Sequence, residues 1–230
     1  MALARRSVEL GEAYKSERKS LSGAAFGWHA GRGIEVWTTV KPMSAKGADE
    51  DYEIISCLAG FRPDDISKLR AYKIARHFER EGEMLMQGRF AEGGTLLFAL
   101  LNLWQHSRIP AKGGELEVQL GALALEGEWA NAKDAPRLVD EVGGDPLKDV
   151  ESVLLPLDRD CHYRAAGIIG EARLISNMHS GVKLWRIKVK LPDFEIELLS
   201  QEREGIAPPQ VGQRFDGIIW LCGFLPVGRN

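Results

Sequence analysis

The sequence predicts an α+β protein in which a mixed N-terminal region, with strands and two or more helices, packs on a C-terminal antiparallel β-barrel-like unit. Three observations predict it. Residues 151–230 hold five strand-like runs with turn signals between them and no helical pattern. The turn Leu191-Pro192-Asp193-Phe194 sets its flanking runs in a self-consistent register. Upstream, residues 63–81 and 94–106 carry helix-start residues ahead of apolar side chains.

Residues 1–24 are rich in Arg, Lys, Glu, Ser and Gly with few large apolar side chains, which reads as a flexible or loosely helical arm. Glu9, Glu12 and Glu17 follow the N-terminal arginines where a secretory signal would have an apolar core, so the start is not read as a signal peptide. An α+β region is expected over residues 25–150 and the barrel-like domain over 151–230.

The glycine-rich stretch holding Gly27, Gly31 and Gly33 precedes a strand, the reverse of a phosphate loop, so it is read as a flexible entry loop. From Ile34 the run Ile-Glu-Val-Trp-Thr-Thr-Val is β-branched and alternating, and residues 52–58 repeat the pattern, predicting two strands around a turn-rich loop.

Pro63-Asp64-Asp65 then opens a helix over residues 63–81, with acidic residues in the first turn and Arg and His later. A second helix is expected over 94–106, although an apolar run such as 96–101 also fits a buried strand. Residues 115–126 read as a long bulged strand: the apolar row Leu116, Val118, Leu120 shifts phase after Gly121 to Leu123 and Leu125. Residues 132–149 carry cap and breaker signals around one or two short helices and are the expected linker.

In the C-terminal part, strands are expected at 153–157, 163–176, 182–191, 194–199 and 213–225. Folding about Pro192-Asp193 sets Lys190 opposite Glu195 and Lys188 opposite Glu197 on one face. The other face pairs Val189 with Ile196 and Ile187 with Leu198. A slip of one residue would destroy both patterns. Pro-Asp favours a type I turn, whose twist suits a two-residue loop poorly, so a loop longer by a residue or two also fits. Gly167 and Gly170 mark a bend, and the last run is apolar at consecutive positions, so both its faces should be covered. The arrangement is compatible with an OB-like barrel.

Composition excludes several function classes. The net charge is −3, and residues 151–230 hold ten basic and ten acidic residues, so no basic field draws the chain to nucleic acid or anionic lipid. No apolar stretch approaches the roughly 18–20 residues of a membrane-spanning helix, so no membrane partner is expected. Cys57, Cys161 and Cys222 are an odd, widely spaced set that fits reduced thiols and a cytoplasmic location.

Candidate chemistry is sparse. Asp158, Asp160, Cys161 and His162 cluster before a strand, with His179 in the next turn, but metal-ligand spacing is absent and no metal or cofactor is expected. Either Cys161 or Cys57 could be matched with one of five histidines, yet no local signature selects a nucleophile. Trp185, Arg186, Lys188 and Lys190 could serve a single nucleic-acid strand, but alternation separates Trp185 from the basic side chains and Glu195 and Glu197 neutralise the lysines. Trp28 and Trp129, in polar surroundings, are the expected exposed pair of the six tryptophans.

The expected function is therefore a non-enzymatic binding or protein-interaction module, whose partner is another protein or a small ligand. Its candidate ligand residues are Asp158, Asp160, His162, His179 and Trp185. The competing classes are an enzyme with a site in a cleft between lobes, and a single-stranded nucleic-acid binder, which the charge pattern disfavours.

Overall fold

The computed structural model describes residues 2–15, 23–43, 52–75, 84–90, 94–106, 114–131, 152–157 and 161–226. Among them the chain is mostly strand with a single α-helix and two sheets, which overturns the α+β expectation. Two compact units divide it: Met1–Gly121 with Asn177–His179 and Cys222–Asn230, and Ala122–Ser176 with Ser180–Leu221.

In the first unit, α1 (Ala2–Leu10) turns Ala4 and Ser7 inward, and the Ser7 hydroxyl donates to Phe26 O and Val36 O, each at 3.4 Å. The helix packs on an antiparallel sheet of β1 (Glu12–Tyr14), β2 (Ala24–Gly31), β3 (Ile34–Pro42) and β4 (Tyr52–Phe61). β3 and β4 are the two strands read from the alternation. The entry-loop expectation is corrected, because residues 24–31 are strand. Gly27 lies opposite Trp37, and a Cβ there would meet that ring at 2.7 Å, so the indole covers a backbone that no side chain occupies. Trp28 is buried with Ala30 and Val36, so it is not an exposed tryptophan.

The helix expected over 63–81 is instead β5 (Ser67–Ala75), with residues 76–83 outside those described. Asp64 and Asp65 lead into a strand because Leu69 finds Leu116 opposite it, and tertiary pairing overrides the local helix-start signal. Gly94 through His106 also divides differently from the helix expected there. β6 (Met84–Arg89) pairs with β7 (Thr95–Leu100), and one 3-10 turn, Leu103–Gln105, follows. The apolar run of β7 suits a central strand between β6 and β13.

β8 (Glu115–Asn131) is longer than expected, and its apolar row does not continue to Leu125, which is 50% exposed. The remaining strands are β9 (Val153–Pro156), β10 (His162–Ser176), β11 (Lys183–Lys190), β12 (Glu195–Gln201) and β13 (Gln213–Phe224).

The β11–β12 register is the one read from the sequence: Lys190 opposite Glu195, Lys188 opposite Glu197, Val189 opposite Ile196 and Ile187 opposite Leu198. Leu191 N donates to Phe194 O at 2.8 Å, closing a two-residue loop. Val189, Ile187, Ile196 and Leu198 are buried, each worth about 1.5–3 kcal/mol relative to exposure. Glu197 is held by Arg186, whose Nε donates to it at 2.8 Å, so the ladder is diagonal as well as direct. The register of β10 against β11 shifts between Ile169 and Glu171, at Gly170, as an interior glycine predicts.

The barrel-like expectation is replaced by one nine-stranded sheet in the order β11-β12-β8-β5-β6-β7-β13-β10-β9, with additional pairings β11–β10 and β8–β13. β13 explains why residues 151–230 are not self-contained. It is buried at every position from Leu221 to Phe224 and pairs in parallel with β7 at Ala99 and Leu100, so its apolar run needs strands from earlier in the chain.

A polar cleft on β8, β10 and β13

Among the described residues of the second unit, one cleft of about 470 Å³ gathers charged side chains from separate elements. β13 supplies Asp216 and Ile218, β8 supplies Glu126 and Glu128, β10 supplies Arg164, and Arg203 comes from the segment after β12. Strand register places them: Arg164 lies opposite Ile218 and Ala166 opposite Asp216, so Arg164 reaches Asp216 diagonally across the pair.

Gly217 makes this geometry available. A Cβ there would lie 2.2 Å from Glu126 O and 2.7 Å from the Gly127 Cα, a separation only glycine tolerates. β8 and β13 are thereby in direct backbone approach, with Glu126 and Glu128 flanking Gly127.

Asp216 is the electrostatic centre. Its side chain is 9% exposed, and Oδ1 lies 3.4 Å from Arg164 Nη2. Burial pushes its carboxyl above the usual carboxylate range. Arg164 and Arg214 pull it back, and the Glu128 charge adds a smaller upward push. Asp216 Oδ2 and Arg164 Nε are buried without a hydrogen-bond partner among the described residues. Arg203 Nη1 donates to Gly127 O at 3.5 Å. Such a lining can hold a small polar molecule through charge-assisted hydrogen bonds, with Ile218 as its apolar patch.

The first unit holds a second polar arrangement. The Glu35 carboxylate, on a side chain 3% exposed, accepts from Trp37 Nε1 at 2.9 Å and lies 3.0 Å from Arg62 Nε and 3.2 Å from His29 Nδ1. The Arg62 guanidinium sits 4.7 Å above the Phe224 ring. Gln105 donates to Tyr14 at 2.9 Å and accepts from Asn102 at 3.0 Å, and Asn102 clasps Leu225 through both its amide atoms. The hydrogen bond to Glu35 raises the proton affinity of His29. These contacts tie strands together and fix side chains.

Of the residues expected at a ligand site, Asp158 and Asp160 lie outside those described. His162 opens β10 opposite Trp220. His179 is exposed in the turn after β10, its ring 4.8 Å from Trp28. Trp185 is half-buried on β11 between Leu174 and Ser200. None of these three lines the cleft. Among the described residues, no group of three or more His, Cys, Asp or Glu is placed to hold a metal ion. Among the described residues, no helix is long and apolar enough to cross a membrane.

Sequence reasoning missed Arg164, Arg203, Asp216, Glu126 and Glu128 because no two of the elements that carry them share a motif. One signal was present: Asp216 lies inside a strand pattern next to an interior glycine, where a carboxylate must find a partner.

Residues 138–223 match the family model described as "Domain of unknown function, E. rectale Gene description (DUF3881)". The match takes in Arg164, Arg203 and Asp216 but stops short of Glu126 and Glu128 on β8. No curated protein and no solved structure matches the chain significantly.

Proposed function

We propose that this chain is a non-catalytic binding module that holds a small polar ligand in the cleft between β8, β10 and β13. The observation that carries the reading is the convergence of Arg164, Arg203, Asp216, Glu126 and Glu128 on one concavity of about 470 Å³. That volume is within the range of about 300–1,000 Å³ common for small-molecule sites. The buried Asp216 supports the same reading. A carboxylate in that setting is expensive unless it organises its surroundings, and here it fixes one of the two arginines. A cytoplasmic location accompanies the proposal, supported by an odd, widely spaced set of cysteines, two of them buried.

The test is equilibrium dialysis of the full chain against a mixture of small polar metabolites. Ile218→Trp serves as the control, since it fills the cleft from a half-exposed position. Retention by the native chain and loss in the variant is the expected result. Equal retention by both would place binding elsewhere, and no retention by either would remove the proposal.

A further inference from the structure

Resting on the reading of the cleft as a ligand site, we infer that its ligand is a zwitterion of the free α-amino-acid class, whose carboxylate meets Arg203 and Arg164 and whose ammonium meets Glu126 and Glu128. The lining carries both signs of charge without cancelling them. Among the described residues its ion pair is Arg164 with Asp216, which leaves Arg203, Glu126 and Glu128 outside any pair.

Glu126 and Glu128 stand two positions apart on β8, so strand alternation sends both exposed carboxylates to the same side. Two like charges held side by side favour a cation between them. Arg203 spends one long contact, 3.5 Å, on Gly127 O, and a guanidinium has five N–H donors, so a carboxylate can still be gripped bidentately. Arg164 is fixed by a carboxylate whose side chain is nine-tenths buried. It therefore offers its remaining donors from a set position, at less entropy loss than a free side chain.

A second observation points to a ligand at this wall. Asp216 Oδ2, an acceptor, and Arg164 Nε, a donor, are both buried without a hydrogen-bond partner among the described residues. Native structures seldom leave such groups in pairs without a role. Ligands with one sign of charge fit the lining less well. An anion alone would face Glu126 and Glu128, and an amine alone would face Arg203. A zwitterion with its two charges one carbon apart satisfies both, and a free amino acid is small enough for the cleft.

The experiment is isothermal titration of the full chain with the twenty free amino acids singly, with acetate and inorganic phosphate as anions, and with ethylamine and putrescine as cations. The expected result is binding of at least one amino acid, with its N-acetyl and its carboxamide derivatives each at least tenfold weaker. Arg203→Gln and Glu128→Gln, both at exposed positions, should each weaken that binding about tenfold while leaving the urea midpoint unchanged. Acetate, phosphate or an amine binding as tightly as any amino acid, with the same sensitivity to Ile218→Trp, would overturn the inference and leave the cleft reading standing. Absence of binding by probes of every charge class would overturn both.

Discussion

Replacing Glu35 by Gln tests whether the first unit is organised around a buried charge. The substitution keeps the side chain's volume and one acceptor for Trp37 Nε1, but it removes the charge facing Arg62 at 3.0 Å. Removing one partner of a buried ion pair costs about 3–5 kcal/mol, since the other charge stays desolvated. Arg62 is 18% exposed and keeps the Phe224 ring at 4.7 Å, which places Glu35→Gln at the low end, about 3 kcal/mol. With a urea m-value of about 2 kcal/mol/M, the midpoint should fall by about 1.5 M. Arg62→Met strands the carboxylate in the same way and should cost a similar amount, while the double variant should cost clearly less than the sum, by about 2 kcal/mol. Urea unfolding of the four proteins measures the cycle. A single-variant cost below about 1 kcal/mol, or additive costs, would refute the argument that this carboxylate and guanidinium act as a buried pair.

Four further outcomes follow from the same structure. His29 has its proton affinity raised by Glu35, so its contribution to stability should be fully present below pH 6.5 and lost as pH rises through the raised value. The stability gap between the native chain and His29→Gln should shrink over that window, and a gap independent of pH would count against the His29–Glu35 bond. Leu198→Ala removes a fully buried side chain opposite Ile187 and should cost about 2–5 kcal/mol in urea unfolding. Gly217→Ala drives a methyl against Glu126 O and should destabilise by at least about 1–3 kcal/mol, a loss that a dispensable glycine would not produce. Burial pushes the Cys222 thiol up to about 12, and Cys161 is wholly buried. Native-state alkylation near pH 8, read by mass spectrometry, should therefore modify Cys57 first, and early labelling of Cys222 would contradict its burial.

How legible the fold was depended on how many independent constraints each segment carried. The β11–β12 hairpin was readable to the residue because an apolar row and a charge ladder both had to match, and only one register satisfied them. β5 was misread because Asp64-Asp65 is a local signal, while the pairing of Leu69 with Leu116 joins residues far apart in the chain. The run 96–101 had no polar position to betray its period, so the sequence could not decide between helix and strand. Gly27 misled for a related reason: a glycine reads as a loop unless one knows that an indole from the next strand lies over it.

The cleft was illegible for a physical reason that also explains its position. Arg164, Arg203 and Asp216 come from three separate segments of the chain, and none is unusual in its own segment, so their chemistry exists only once β10 and β13 are in register. What the sequence does carry is the pair Asp216-Gly217. A buried carboxylate inside a largely apolar strand must be compensated, and the glycine beside it admits the backbone of β8 at a distance no other residue would allow. Compensation and close approach are thus delivered by adjacent positions on one strand. A substitution at Gly217 should disturb the spacing of Glu126 and Glu128 together with the setting of Asp216, so loss of ligand binding and loss of stability should rise in parallel there. At Arg203, by contrast, the two should separate.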